Sequence, residues 1–296
     1  MARLLSWTRD NIDGVAALVL ALVVGLFAVL GLIDADIVGG AVLLVLGLLV
    51  TMALRDRRLS SKAMRDASSV RLLYGSAIEH EHALARRNTE QWIFKGGTGI
   101  SIRTVTLPDC VENARREQRP LRVQVEILDP ADDMLCKTYA QFRSTLVPEA
   151  DRTGEQWTTE RTRKEAFATV LAACWYRQRF TFLTVDVGLS SVMTTFRWDL
   201  SSSCAIITQA NPNTPALLFE RDKPYYRDLH RELVAGFKQS RQIQLSRGEE
   251  LPLSDKPTVE QVRRLFDELA LPLPDSFTDR DVADIARRAL QPRNPH

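Results

Sequence analysis

The sequence predicts an α/β domain with a mixed sheet and flanking helices, preceded by a two-helix transmembrane hairpin and followed by a small all-α unit. Three observations predict this. Two long apolar runs stand in tandem near the start of the chain, a central stretch alternates strand-like and helix-like patterns, and the last forty residues carry two helical stripes behind capping signals.

The hairpin comes first in the chain. Gly14 to Ile33 is a run of 20 residues with no charged side chain, and Ile37 to Leu54 is a second run of 18, interrupted only by Thr51. At about 1.5 Å of rise per residue each run reaches roughly 27–30 Å, close to the hydrocarbon thickness of a bilayer. Asp34-Ala35-Asp36 alone separates them, which forces antiparallel helices and puts both chain ends on one side. A cleaved signal peptide would need a shorter apolar core and a small-residue cleavage site. Arg3 and Arg9 precede the first run, Arg55, Arg57, Arg58, Lys62 and Arg65 follow the second, and the acidic connection carries no Lys or Arg. Both termini are therefore expected in the cytoplasm. Gly25, Gly31, Gly39, Gly40 and Gly47 would let the helices approach closely in lipid. Cys110, Cys136, Cys174 and Cys204 are widely spaced with no CxxC pair, as expected of reduced thiols in a reducing compartment. A net charge of +2 gives no reason to expect a nucleic-acid partner.

Residues 57–90 contain no proline and are rich in Ala, Arg and Leu, which predicts a solvated helical stalk with a break near Gly75. His80 and His82 lie inside it at a spacing of two, on different helix faces, and do not suggest a metal site. The α/β domain is expected over 91–245. Trp92-Ile93-Phe94 reads as a strand ending in Lys95-Gly96-Gly97-Thr98-Gly99, with a helix over Ser101 to Glu117 that breaks or restarts at Pro108. Leu121, Val123, Val125 and Ile127 alternate with polar residues, the period of a strand, and stop at the turn signal Asp129-Pro130. A helix over Asp132 to Ser144, a polar loop over Val147 to Trp157, and a helix with Phe167, Val170, Leu171, Cys174 and Trp175 on one stripe follow. Phe180–Val187, Val192–Trp198, Cys204–Thr208 and Ala216–Phe219 read as strands, and Tyr226, Leu229, Leu233 and Phe237 mark a closing helix. The order β-α-β-α-α-β-β-β-β-α predicts a layered domain.

The tail, 257–296, reads as a separate unit. Thr258 with Gln261 and Thr278 with Asp281 have capping-box spacing, ahead of stripes containing Leu265, Phe266 and Leu269, then Ile285. Forty residues bury little core alone, so Leu265, Phe266, Leu269, Phe277 and Ile285 are expected to dock onto a partner.

Trp92 to Ser240 resembles one half of the phospholipase D-like fold, in the branch attached to bacterial regulators and defence proteins. The residues that carry the resemblance are Trp92 to Gly99, Ile127-Leu128-Asp129-Pro130, Phe196-Arg197-Trp198-Asp199, Ala216 to Phe219, and the closing helix. Active members of that family use His-x-Lys, the His as nucleophile and the Lys on phosphate. The corresponding stretch, Phe196 to Ile207, has no His and no Lys. The resemblance implies a sensor or scaffold that kept the fold and lost the catalyst. The tail is similar to the small effector-associated helical domains of bacterial conflict systems, through Leu265 to Pro272, Phe277-Thr278-Asp279 and Asp284 to Leu290. That likeness implies a defence-system sensor or effector as partner, and a homo-oligomer whose hairpin disrupts the inner membrane in antiphage defence. The alternatives are a membrane-tethered phosphodiesterase or nuclease, and a membrane scaffold that forms no pore.

Lys95-Gly96-Gly97-Thr98-Gly99 before a helix is the leading ligand candidate, because glycines admit close backbone approach and a helix start favours anions. Lys95 and Arg103 would add charge toward a small phosphate-bearing ligand, and Asp129 and Arg197 could face the same cleft. It is not a Walker A loop, and it reads equally as a tight strand-to-helix turn. Arg197 could equally form a buried ion pair with Asp199, and Ser201-Ser202-Ser203-Cys204 reads as a polar turn. No cofactor, metal site or catalytic constellation is expected.

Overall fold

The computed structural model describes residues 70–146, 156–211 and 214–290, together with Leu46, Gly47, Val50 and Ala53, which are helical. Apart from those four residues of the second run, the two expected membrane spans, with Gly25, Gly31, Gly39 and Gly40, lie outside the described residues, as do residues 147–155 of the expected loop. Among the described residues no helix is long and apolar enough to cross a membrane.

Eight strands form one mixed sheet. They are β1 (Val70–Leu73), β2 (Gln91–Lys95), β3 (Leu121–Leu128), β4 (Leu183–Ser190), β5 (Phe196–Leu200), β6 (Cys204–Gln209), β7 (Ala216–Glu220) and β8 (Arg241–Ile243), in the spatial order β1-β7-β6-β5-β2-β3-β4-β8. The pairs β2–β3 and β3–β4 are parallel, with Phe94 opposite Val125 and Val125 opposite Val187, while the other pairs are antiparallel. Seven complete α-helices accompany them among the described residues, the first five between strands and the last two after β8: α1 (Ser76–Arg87), α2 (Leu107–Arg116), α3 (Asp133–Thr145), α4 (Thr159–Arg179), α5 (Pro224–Gln239), α6 (Val259–Glu268) and α7 (Asp279–Leu290). From β2 to α5 the succession of strands and α-helices is the expected one. The mixed α/β class therefore holds, although β8 carries no sequence signal beyond three residues.

Period-2 alternation divides the sheet between two cores. Trp92, Phe94, Val123, Val125, Ile127, Val185 and Val187 point to the face covered by most helices, and Ile93, Leu200, Ala205, Ile207 and Phe219 point to the face where Leu233 of α5 packs. α4 shows why the first face is so well covered. Of its expected stripe, Phe167, Val170, Leu171 and Cys174 are buried and Trp175 is half-buried, but Ala166, Ala168, Thr169, Ala172 and Ala173 around its circumference are buried too. A helix buried all round lies between two layers.

The second layer is the tail, and here the sequence expectation is corrected. Residues 257–290 are not a separate unit: they belong to the same compact body as the sheet. Phe167 of α4 meets the Phe266 ring at 5.1 Å and the Phe277 ring at 6.2 Å, both edge-to-face, a geometry worth about 0.5–1.5 kcal/mol per pair beyond area burial. Leu265, Phe266 and Ile285 are 0% exposed, Leu269 3% and Phe277 5%, so these five are core residues and are not open to a partner. The capping boxes stand as expected: Thr258 accepts from Gln261 N while the Gln261 side chain accepts from Thr258 N, and Asp281 accepts from Thr278 N at 2.8 Å.

Residues 57–69 of the expected stalk lie outside the described residues; the break at Gly75 and a helix beyond it stand, and the rest is corrected. Val70–Leu73 is an edge strand paired with Ala216–Phe219, and the chain turns at Gly75 into α1, whose His82, Ala85 and Arg86 are buried. Pairing with β7 overrode the local helix propensity of this stretch. The helix expected over Ser101 to Glu117 begins with a π-helical turn, Ile102–Thr106, before α2. A wider turn just ahead of Pro108 relieves the clash of its ring with the preceding turn's carbonyl.

Candidate functional site

Parallel strands β2, β3 and β4 deliver their C-terminal ends to one edge, where open α/β sheets characteristically place ligands. The glycine turn follows β2 there, and Asp129 follows β3. Gly96 N donates to Glu126 O at 3.0 Å and Leu128 N to Gly97 O at 3.0 Å, so the turn continues the β2–β3 ladder. A Cβ at Gly97 would overlap the Tyr139 ring and hydroxyl, and Gly99 has φ +78° with Thr169 Cγ2 only 2.7 Å from where its Cβ would stand. Thr98 is buried and its carbonyl accepts from Thr169 Oγ1 at 2.8 Å. The turn is thus filled by α3 and α4 side chains, the packing reason for its glycines.

Each expected charged partner is already engaged. Lys95 Nζ lies 2.8 Å from Glu126 Oε1, its register partner on β3. Arg103 is buried: Nη1 donates to Glu165 O at 2.8 Å, and Nη2 to Glu165 Oε2 at 2.5 Å. The other oxygen of Glu165 accepts from Arg288 of α7. Burial works against the charge on Arg103, and Glu165 works to keep it. Arg103 therefore joins three helical segments through Glu165. Asp129 takes a bidentate grip from Arg241 of β8, Nη2 to Oδ1 at 2.8 Å and Nε to Oδ2 at 3.0 Å, and caps Ala131 N at 2.9 Å. It is a turn clamp.

Arg197 forms the expected pair with Asp199, Nε to Oδ2 at 2.6 Å, and its Cγ lies 3.5 Å from where a Gly96 Cβ would stand. Gly96 and Arg197 are thus the two candidates brought together. The cluster goes further than expected. Arg197 Nη2 donates to His82 Nε2 at 2.7 Å, and Trp92 Nε1 donates to Asp199 Oδ1 at 3.1 Å. His82 is 2% exposed, which corrects its place on a solvated helix. Burial, with Arg197 and Arg86 nearby, pulls its pKa down to about 4 against the opposing pull of Asp199, so at neutral pH it is an uncharged acceptor. Its signal was legible: Ile78, His82 and Ala85 share the inward stripe of α1.

Other nucleophile candidates are similarly committed. Burial pushes Cys110, Cys136 and Cys174 up to about 12, and raises Cys204 too, which suppresses the reactive thiolate. Ser201 Oγ accepts from the backbone N–H of Ser203 and of Cys204, both at 3.1 Å, as a polar turn should. No group of His, Cys, Asp and Glu among the described residues could hold a metal ion.

No protein-family model matches this sequence, and no curated protein does. Among solved structures it has a neighbour in TrmBL2, an archaeal chromatin protein described as showing a novel mode of DNA binding. That match has a TM-score of 0.34 and 7% identity, over 67% of this chain and 70% of the other. A likeness at that level carries no argument about this chain.

Proposed function

We propose that this chain is a membrane-anchored, non-enzymatic relay protein of a bacterial antiphage system, in which a degenerate phospholipase D-like half-domain receives a signal and the hairpin acts on the inner membrane. The observation that carries the non-enzymatic reading is the state of the charged groups around the glycine turn. Lys95, Arg103, Asp129 and Arg197 each have an acidic or basic partner within the chain, and His82 is held uncharged as the acceptor of Arg197. A phosphodiesterase needs a nucleophile with a free proton acceptor and a cation open to the phosphate. What supports the half-domain reading is the succession of elements from β2 to α5, together with a β5–β6 segment that has no His-x-Lys. What supports the anchor is the length and tandem order of the runs 14–33 and 37–54.

With the tail's apolar stripes spent inside the body, recruitment of a partner or a second copy falls to other surfaces. The test uses the full chain in cells. Triggering should collapse the membrane potential, and His230→Ala, which removes the other histidine near the sheet, should leave that response intact. Hydrolysis of a phosphodiester by the purified chain, lost in His230→Ala, would overturn the reading in favour of an enzyme.

A further inference from the structure

Among the described residues β1 is an edge strand paired with β7 alone, and it carries exposed apolar side chains. Leu72 is 54% exposed and Tyr74 is 61% exposed. On the same sheet face Val70 stands opposite Phe219 and Leu72 opposite Leu217. The Phe219 ring is met at 5.8 Å by Tyr225 of α5, itself 54% exposed. Tyr225, Val70, Leu72 and Tyr74 thus form a strip along the edge of the sheet. From this we infer that the β1 edge is the face of the domain that rests on the bilayer surface, with Leu72, Tyr74 and Tyr225 at the lipid–water boundary.

The chain itself argues for that occupant. The second apolar run ends at Leu54 and β1 begins at Val70, so 15 residues join them. Fully extended they span about 50 Å. The tether enters the body at the first residue of this strip, so the strip is held at high effective concentration against whatever the run is embedded in. The tether carries five basic residues, Arg55, Arg57, Arg58, Lys62 and Arg65, against Asp56 and Asp66, a sign suited to anionic headgroups. Two of the three exposed side chains are tyrosines, whose apolar ring and polar tip suit a membrane interface. Around Tyr225 the charges nearly balance, Arg221, Lys223 and Arg227 against Asp222 and Asp228. Contact of the strip itself is therefore driven by apolar burial and depends weakly on salt. This inference rests on the membrane anchor proposed above.

The full chain in lipid nanodiscs tests it. A single environment-sensitive fluorophore is placed at Leu72→Cys, with Phe182→Cys as the comparison. Phe182 is equally exposed but precedes β4, six strand positions away, about 29 Å at ~4.8 Å per strand. The four native thiols are buried and stay unlabelled. Lipids spin-labelled near the headgroup should quench the label at 72 several-fold more than the label at 182. Adding Tyr74→Asp and Tyr225→Asp should bring the two sites to equal quenching, and 0.5 M salt should not. Equal quenching at 72 and 182 in the parent, with the chain still resistant to carbonate extraction, overturns the inference and leaves the anchor standing. Extraction of the chain into the supernatant overturns both. A pyrene label at 72 that gives excimer only in discs holding two copies, without lipid quenching, assigns the edge to a second copy and overturns the lipid contact.

Discussion

Glu165 ties α4 to the π turn and to α7, a role the sequence pattern does not show. It is buried, it accepts from Arg103 at the start of the π turn and from Arg288 on α7, and its backbone carbonyl also accepts from Arg103. Removing one member of such a network strands the other charges, so Glu165→Ala should lower unfolding stability by about 3–5 kcal/mol. Replacing all three charged members by apolar residues of similar volume should cost distinctly less, because no unpaired charge then remains. Denaturant titration of the chain in detergent, followed by tryptophan fluorescence, compares the two. His82 gives a pH prediction. Its folded pKa is about 4 against the ordinary 6.5 of a histidine, so below pH 6.5 the unfolded state takes up a proton that the folded state refuses. Stability should therefore fall as pH drops from about 6.5 to about 4, by roughly 3 kcal/mol in all at 1.36 kcal/mol per pKa unit. Asp281, whose pKa is lowered by its bonds to Lys164 and Thr278, loses its contribution only at more acid pH. His82→Gln keeps an acceptor for Arg197 and should flatten the slope between pH 6.5 and 4. An unchanged slope would move the titration to another group.

Among the elements, the glycine turn was legible as a turn. Gly-Gly-Thr-Gly after a strand specifies close approach of backbone to something, and the something is Tyr139 and Thr169 of the same chain. Those lie more than forty residues away in sequence, beyond the reach of a local pattern. Gly97→Ala should destabilise the fold by the 1–3 kcal/mol typical of overpacking, and Tyr139→Phe, which removes one overlapping atom, should recover part of it. Differential scanning calorimetry of single and double variants measures the recovery. Strands β2 to β7 were readable because alternation decides which face is buried. β1 was not, since Val70-Arg71-Leu72-Leu73 carries no period and becomes a strand only by pairing with β7. The capping boxes, whose hydrogen bonds span three residues, were read correctly at Thr258 and Thr278.

For the whole molecule, the tail shows what patterning leaves open. A stripe of Val262, Leu265, Phe266 and Leu269 says that a helix will bury one face, but not whether against the same chain or another. The deciding clue lay in α4, whose alanine-rich remainder, Ala166, Ala168, Ala172 and Ala173, allows a second layer to come close. A chain ending at residue 256 should lose cooperative unfolding, because Phe167 and its neighbours would face water. The membrane reading proposed above has the α/β body held on the cytoplasmic side of the inner membrane by the runs 14–33 and 37–54. Protease accessibility of the full chain, in inverted vesicles against intact spheroplasts, tests it most directly. Residues beyond 57 should be cleaved only in inverted vesicles, with a protected fragment of about 50 residues matching two spans of ~20 residues each. Cleavage of the body in spheroplasts, or complete digestion with no protected fragment, would contradict it.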